Sequence, residues 1–325
     1  MKHQTVDVSG TRIHSTRIHL VEQGDGPLVI LVHGFPESWY SWRHQIPAIA
    51  AAGYRAAAID VRGYGRSSKP VAIDAARMME LVGDVVGLVE ALGEERATLI
   101  GHDWGAPIVW HSAMLHPERF RGVAGLSVPY TPFGETRPLD FFRKLGGDRG
   151  EFYIEYFQQP GRAEAEIEKD VRRWLLGFYY SASAGPERGT VNIGIVPAGR
   201  ELRDQMVFPE ETPAWLGEDG FEFYVAEFER TGFTGGLNRY RNVNRDWQDF
   251  TEHRGRPITI PALFVGGDKD GPTIWGAPAI ASFERTLPGL TRSVILQDCG
   301  HWVQQERPEE TNRLLVEFLD EVHGS

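Results

Sequence analysis

The sequence has one cysteine and no long apolar run. Cys299 has no second cysteine in the chain with which to form a disulfide bond, which is typical of proteins in a reducing compartment. No stretch approaches the roughly 18 consecutive apolar residues of a membrane-spanning helix. Residues 1–10 lack the basic start and the apolar segment of a signal peptide. We therefore expect a cytoplasmic protein without a membrane span.

Basic charge is also scarce. The chain has 34 Lys and Arg residues against 45 Asp and Glu residues, a formal net charge of −11, and no dense basic run offsets this balance. A surface of that sign repels polyanions, so we expect no nucleic-acid partner. The hydrophobic content of 41% and the charged content of 24% are ordinary for a folded globular protein.

The sequence does contain regularly spaced β-rich segments with helix-like stretches between them. These segments are Pro27–His33, Arg55–Asp60, Ala97–Gly101, Gly122–Val128, Pro261–Gly267 and Arg292–Gln297. Helical periodicity is clear from Met79 to Leu92, and Gly93 ends it. Strands joined by helical crossovers predict an α/β fold with a mostly parallel sheet.

The alternation fails between about Thr131 and Asp249. Helical segments rich in aromatic and charged residues replace the strands there, and strand-like sequence resumes only at Pro261. We therefore predict three parts: a core of residues 1–130, a helical cap of residues 131–249 over one edge of the sheet, and the rest of the core at 250–325.

The segment Gly101-His102-Asp103-Trp104-Gly105 stands between a predicted strand and the helical stretch Ala106–Leu115. Small residues on both sides of a nucleophile are typical of a nucleophile elbow, a strained turn that lifts the central side chain into the open. The central residue here is Asp103, where esterases have serine. Taken alone, the segment also fits an ordinary glycine-rich turn with an aspartate at a helix N-terminus.

An earlier strand ends in His33-Gly34-Phe35-Pro36. Folds with a nucleophile elbow form an oxyanion hole from an N–H of this loop and the N–H of the residue after the nucleophile. The predicted donors are the backbone N–H groups of Phe35 and Trp104, and His33 is interpreted as structural. An ordinary Gly-Pro loop is the alternative.

The predicted general base is His301, which follows the last strand and precedes a closing helix at Glu306–Leu319. The chain has 11 histidines, so this assignment depends on the order nucleophile, acid, histidine. Asp268 and Asp270 follow the strand Pro261–Gly267, and either could orient the imidazole. We take Asp270 as the acid and leave Asp268 open, since the stretch after Gly122–Val128 offers no nearby carboxylate.

An aspartate nucleophile restricts the substrate. A carboxylate with a pKa near ~3.9 is ionised at pH 7 and attacks without a base. Attack on a saturated carbon with a strained or good leaving group gives an alkyl ester that water can hydrolyse, which fits an epoxide or an alkyl halide. An opening epoxide needs a proton, and phenols with a pKa near ~10 can donate one. The cap segment contains Tyr153, Tyr156, Tyr179, Tyr180, Tyr224 and Tyr240.

Over almost its whole length the sequence resembles the soluble epoxide hydrolases of the α/β-hydrolase superfamily, and most of all the bacterial enzymes of the mycobacterial type. The motifs that carry the resemblance are His33-Gly34-Phe35-Pro36-Glu37-Ser38-Trp39, Asp60-Val61-Arg62-Gly63-Tyr64-Gly65, the elbow, Tyr153-Ile154-Glu155-Tyr156-Phe157-Gln158-Gln159-Pro160-Gly161 and Gly232-Phe233-Thr234-Gly235-Gly236-Leu237-Asn238-Arg239-Tyr240. The resemblance implies that Tyr153 and Tyr240 grip the epoxide oxygen and that Asp270 is the acid.

The same resemblance implies a homodimer that detoxifies small-molecule epoxides by converting them to diols, without a metal or an organic cofactor. Two alternatives stay open at this level. A haloalkane dehalogenase of the same fold fits Trp104, although Phe35 stands where many of those enzymes have Asn. A ligand-binding protein without enzymatic activity is expected to have lost a member of the triad, and all three members are present here.

Overall fold

A computed structural model describes residues 1–9, 15–187 and 193–324. Its strands are β1 (Lys2–Ser9), β2 (Ser15–Gln23), β3 (Leu28–Val32), β4 (Arg55–Ile59), β5 (Ala97–His102), β6 (Phe120–Leu126), β7 (Glu151–Phe152), β8 (Ile195–Val196), β9 (Ala262–Gly267) and β10 (Leu290–Leu296). Its helices are α1 (Gln45–Ala51), α2 (Met78–Ala91), α3 (Gly105–Leu115), α4 (Pro138–Gly146), α5 (Tyr153–Tyr156), α6 (Arg162–Ile167), α7 (Val171–Ala182), α8 (Glu218–Thr231), α9 (Thr234–Tyr240), α10 (Val243–Asp249), α11 (Gly271–Trp275), α12 (Ala277–Ile280), α13 (Phe283–Thr286), α14 (Val303–Glu306) and α15 (Pro308–His323).

Eight strands form one sheet in the order β1-β2-β4-β3-β5-β6-β9-β10. β2 is antiparallel to both of its neighbours, and the other pairs are parallel. The central strands β3, β5 and β9 are buried along their whole length, because helices cover both faces of the sheet. The carboxyl ends of β3, β5, β6 and β9 therefore meet at one edge, where α/β sheets bind their ligands.

The core has two layers, one on each face of the sheet. On one face α2 and α3 bury residues such as Leu88 and Val109 against the strands. On the other face α1 and α15 do the same with residues such as Ile46 and Leu315. No helix in the part of the chain that the structure describes combines the length and the apolar character needed to cross a bilayer.

The structure has elements that the sequence pattern did not predict. The strands β1 and β2 form an antiparallel edge, and β1 is largely exposed, so its apolar pattern is weak. Residues 131–249 contain α4–α10, but β7 and β8 also pair there, so the segment is not purely helical.

The closing helix predicted at Glu306–Leu319 is present as α15, with different bounds: it begins at Pro308 and continues to His323. Glu306 belongs to the separate short helix α14, and Arg307 between the two helices has a φ of −129°. Pro308 causes the break, since proline lacks an N–H group and disfavours helical geometry in the residue before it.

Candidate active site

Asp103 lies at a sharp turn between β5 and α3. Its φ is +49°, in the left-handed region that a short polar side chain tolerates better than most. The glycines beside it allow close backbone contact: a Cβ on Gly105 would lie 2.0 Å from the carbonyl oxygen of Val32, and one on Gly101 would lie 2.3 Å from that of Gly105. Larger residues at either position would push the helix away from the sheet, so the elbow requires both glycines.

The Asp103 carboxylate faces the loop after β3. The N–H of Phe35 donates to Asp103 Oδ1 over 2.7 Å, and among the described residues it is the only backbone donor to this carboxylate. A Cβ on Gly34 would lie 2.2 Å from the same oxygen, so glycine lets the loop come this close. Burial raises the pKa of Asp103, but His301, His102 and the Phe35 N–H outweigh burial and hold the pKa below its usual range. The lowered pKa keeps the carboxylate ionised at neutral pH.

The imidazole of His301 lies between two carboxylates. Its Nδ1 is 2.9 Å from Asp270 Oδ1, and its Nε2 is 3.5 Å from Asp103 Oδ2. Burial lowers the pKa of His301, but the charges of Asp270 and Asp103 and their hydrogen bonds raise it well above the usual value. The residues that the sequence order selected thus come together at the carboxyl edge of the sheet.

Asp270, not Asp268, contacts the imidazole. Asp268 Oδ1 instead accepts a hydrogen bond of 3.1 Å from the backbone N–H of Cys299. Asp270 is completely buried, and its Oδ2 accepts from the hydroxyls of Ser127 and Thr273, each over 2.7 Å. These donors fix the carboxylate on the His301 side of the loop.

Ser127 is a site residue that the sequence interpretation missed. It follows β6 directly, has a φ of +70°, and its hydroxyl is 3.0 Å from His301 Nδ1 as well as near Asp270. Only a carboxylate was a candidate for the acid after this strand, so the serine was not predicted. The sequence signal that could have identified Ser127 is its position as a polar residue at the end of a buried apolar strand.

A buried charged pair beneath the site was also missed. His102 Nδ1 donates to Glu37 Oε2 over 2.8 Å, and His102 Nε2 donates to the carbonyl oxygen of His301 over 2.7 Å. Glu37 also accepts from the N–H of Gly34 over 2.9 Å. Both nitrogens of His102 thus face oxygen acceptors, which fixes the ring between Glu37 and the backbone at His301. This pair connects the loops that hold Phe35, Asp103 and His301.

A cavity of about 310 Å³ opens over Asp103 between the core and the cap. Tyr153, at the start of α5, and Tyr240, at the end of α9, line it, and their ring centroids are 5.9 Å apart. Three other cap tyrosines use their hydroxyls structurally: Tyr156 donates to Glu166, Tyr179 to the carbonyl oxygen of Pro36, and Tyr224 to Gln305. Among the described cap tyrosines, only Tyr153 and Tyr240 line this cavity.

Both cavity tyrosines are protonated at neutral pH. Burial, followed by the charges of Asp103 and Asp270, raises the pKa of Tyr153. Burial and the charge of Asp103 also raise the pKa of Tyr240, and a hydrogen bond with the Trp104 side chain opposes this only in part. Each phenol can therefore donate to an oxygen atom placed above Asp103.

Known proteins are similar to this chain in sequence over most of its length. The sequence model of the alpha/beta hydrolase fold family matches residues 27–170. Epoxide hydrolase B of Mycobacterium tuberculosis is 46% identical over 348 residues, which cover 98% of each chain. The chain belongs to the epoxide hydrolases of the α/β-hydrolase superfamily. Bifunctional epoxide hydrolase 2 of Mus musculus is 41% identical over 93% of this chain and 53% of its own length.

Among solved structures, an epoxide hydrolase from an endophytic Streptomyces is 57% identical and superposes with a TM-score of 0.94, covering 100% of this chain and 96% of that one. The predicted fold class and family are thereby confirmed.

The position of Trp104 favours an epoxide over an alkyl halide as the substrate of this epoxide hydrolase. The described residues that line the cavity do not include Trp104. Its ring packs edge-to-face on Tyr240, with the centroids 5.2 Å apart. A halide-binding indole would face the leaving group, whereas this one supports a cavity tyrosine.

Glycines of the cap motif bring Tyr240 over the nucleophile. A Cβ on Gly235 would lie 2.1 Å from the carbonyl oxygen of Gly63 in the core, and one on Gly236 would lie 2.6 Å from the Tyr64 hydroxyl. The absence of side chains at these two positions lets α9 dock directly on the Gly63-Tyr64 turn. In this epoxide hydrolase the Gly-Gly pair therefore sets the distance between cap and core.

Proposed function

We propose that this protein hydrolyses epoxides to vicinal diols through a covalent ester on Asp103. The observation that carries the proposal is the opposed placement of an ionised carboxylate and two protonated phenols across one cavity, since an epoxide needs a nucleophile at carbon and an acid at oxygen.

In the first step, an Asp103 oxygen attacks the less hindered epoxide carbon and the carbon–oxygen bond of the ring breaks. Tyr153 and Tyr240 hold the epoxide oxygen, and one of them transfers its proton to the developing alkoxide. The product of this step is a hydroxyalkyl ester of Asp103. The Asp103 side chain then carries no negative charge.

In the second step, His301 removes a proton from water, and Asp270 stabilises the imidazolium that forms. The hydroxide attacks the carbonyl carbon of the ester, and the backbone N–H groups of Phe35 and Trp104 donate to the resulting oxyanion. One such donor is worth about 3–4 kcal/mol of transition-state stabilisation. When the tetrahedral intermediate collapses, the oxygen that came from Asp103 leaves with the diol and takes the proton of the added hydroxide, so the carboxylate is restored with one oxygen from water. One proton passes from His301 to the phenolate left by the first step, which restores the tyrosine.

The covalent route predicts where the oxygen of water goes. We would first select an accepted substrate from styrene oxide, cyclohexene oxide and a long-chain 1,2-epoxyalkane by diol formation. Enzyme in excess would then turn over that epoxide once in ¹⁸O-water. Mass spectrometry of the peptide that contains Asp103 should find the label there, and the first diol should be unlabelled. Label in the first diol with none in Asp103 would mean direct attack by water.

The assembly and the location of the protein are further parts of the proposal. The family resemblance supports a homodimer, and the single cysteine supports a reducing cytoplasm. The division into a core at 1–130 and 250–325 and a cap at 131–249 is supported by the cavity between them. Light scattering of the purified chain and fractionation of expressing cells would measure the first two points.

A further inference from the structure

Arg239 is a buried cation that joins the cap to the core beside the site. Its Nη1 donates to the carbonyl oxygen of Ala76, and its Nη2 pairs with Asp246. Asp246 Oδ1 in turn accepts from the N–H of Met78, the first residue of α2, over 2.8 Å. Arg239 and Asp246 belong to α9 and α10 of the cap, whereas Ala76 and Met78 belong to the core. The ion pair thus fastens two cap helices to the start of one core helix.

The guanidinium of Arg239 also contacts the elbow. Its Cζ lies 4.8 Å from the centroid of the Trp104 ring, a cation–π geometry. Tyr240 also contacts that indole, edge-to-face, with the ring centroids 5.2 Å apart. Arg239 and Tyr240 are consecutive in the chain. Trp104 therefore contacts both a buried cation and a cavity phenol.

A contribution to folding stability does not by itself explain why the Arg239 cation is buried here. Only 3% of Arg239 is exposed, and its Nε has no hydrogen-bond partner among the described residues. Burial lowers the pKa of Arg239 to about 9, so the side chain is still charged at neutral pH. Well-packed apolar residues often replace a buried ion pair without loss of stability. An incompletely satisfied guanidinium in this position indicates a role in the geometry of its neighbours.

We propose that Arg239 is a positioning residue for epoxide opening, because it holds the Trp104 indole against Tyr240 and so fixes the phenol that grips the epoxide oxygen. This inference rests on the proposed function. The Trp104 backbone N–H belongs to the elbow and is placed by the start of α3, so Arg239 acts on the ring and on Tyr240. The ring-opening step therefore depends on Arg239, and hydrolysis of the ester depends on it little.

The test separates the two half-reactions. Rapid-quench experiments with styrene oxide, analysed by intact mass, measure the formation and the decay of the alkyl-enzyme in the unmodified protein, Arg239→Met and Arg239→Lys. Misplacing a catalytic group by about 1 Å can cost up to 10²-fold in rate. We expect Arg239→Met to slow ester formation about 10-fold or more and to change ester decay less than about 3-fold. Arg239→Lys should recover part of the loss, because it keeps a cation but lacks the planar fork.

Arg77→Met is the matched control for attachment of the cap. Arg77 precedes α2 and makes an ion pair with Asp249 of α10, with Nε donating to Asp249 Oδ2 over 2.8 Å, so it too joins core and cap. No described contact links Arg77 to Trp104. Its loss should leave both half-reactions unchanged. An equal slowing of ester formation in Arg77→Met and Arg239→Met would overturn the inference.

A double-mutant cycle tests whether Arg239 acts through the indole. In a Trp104→Leu background, Arg239→Met should slow ester formation less than about 3-fold further, because the coupled partner is already gone. Fully additive losses, or a folded Arg239→Met enzyme that forms the ester at the normal rate, would contradict the proposal. If the unmodified protein forms no ester with any epoxide of the panel, the proposed function itself fails, which is a separate result.

Discussion

His301 is shared by two carboxylates in the resting protein, with Asp270 at 2.9 Å from Nδ1 and Asp103 at 3.5 Å from Nε2. Its raised pKa means that the ring is protonated before substrate binds. Conversion of Asp103 to an ester removes one of the two charges. The imidazole then releases its proton more easily and becomes a base for the second step, so the first half-reaction prepares the second.

Neutralising Asp103 by substitution should reproduce this change. We expect the pKa of His301 to fall in Asp103→Asn, because the charge of one carboxylate that favours the imidazolium is gone. Titration of ¹³C-labelled histidine by NMR measures the pKa, and His301→Gln identifies the signal among the 11 histidines. Intact mass confirms that the introduced amide is not hydrolysed during the titration. An unchanged pKa would show that Asp103 does not control the protonation of His301.

The two cavity phenols should matter in the first half-reaction. Tyr153→Phe and Tyr240→Phe each remove one donor to the epoxide oxygen, and the double variant should lose ring opening by about 10²–10⁴-fold. Rapid-quench measurement of ester formation gives the rates. Tyr156→Phe is the control, since its hydroxyl bonds Glu166 inside the cap and lies away from the cavity lining. Tyr156→Phe should lower the stability of the protein and leave the rate of ester formation unchanged. Full activity of the Tyr153→Phe/Tyr240→Phe double variant would remove the reason for proposing epoxide substrates.

At the scale of elements, the position of α9 depends on a close backbone contact between two glycines. Gly235 and Gly63 bring two backbone segments together, and no rotamer change could accommodate a methyl group between them. Tyr240 ends the same short helix, so any displacement of α9 moves a phenol relative to Asp103. The cap glycines thus belong to the geometry of the site although they carry no functional group.

Gly235→Ala should both destabilise the protein and slow ring opening. Overpacking of this kind typically costs about 1–3 kcal/mol, and here the methyl group would meet the backbone of Gly63. Gly220→Ala is the control: it lies in the cap helix α8, and its Cβ would meet nothing closer than 3.6 Å. Alanine there should stabilise the helix by about 0.5–1 kcal/mol. Thermal unfolding and kcat/KM measure both effects; similar behaviour of the two variants would show that the close approach is unimportant.

At the scale of the whole molecule, the buried pair of Glu37 and His102 joins the loop after β3, the end of β5 and the loop after β10. Burial raises the pKa of Glu37, but the charge and the hydrogen bond of His102 outweigh burial and hold the pKa below 4.5. A carboxyl whose pKa is lowered by folding stabilises the protein above its unfolded-state pKa. That contribution is lost as the pH falls through the folded-state pKa.

Glu37→Gln should therefore destabilise the protein at neutral pH, and the difference from the unmodified protein should shrink as the pH falls below about 4.5. Urea unfolding between pH 7 and acid pH measures the free energy of unfolding of each variant. Glu222→Gln, which removes an exposed ion pair with Arg172, should have little effect at any pH. A difference between Glu37→Gln and the unmodified protein that does not depend on pH would show that Glu37 does not act through its charge.

Much of this epoxide hydrolase followed from local sequence. Strand, turn and helix signals predicted the central strands, the α/β class and the elbow, because buried parallel strands and glycine-flanked turns have strong local patterns. Edge strands such as β1 were not predicted, since their side chains are mostly exposed. The sequence pointed to Asp270 but left Asp268 open, because both stand in one loop and only the fold decides which carboxylate turns inward.

The sequence by itself predicted the chemistry, because an ionised aspartate at a glycine-flanked turn can attack carbon without a base. The resemblance had already pointed to Tyr153 and Tyr240. Only the tertiary structure decided that these two tyrosines line one cavity with that aspartate, that Ser127 and Thr273 hold the acid, and that Glu37 and His102 lie beneath the site. The physical reason is distance along the chain. These contacts join residues far apart in sequence, so no local pattern records them, and the docking of the cap on the core creates them.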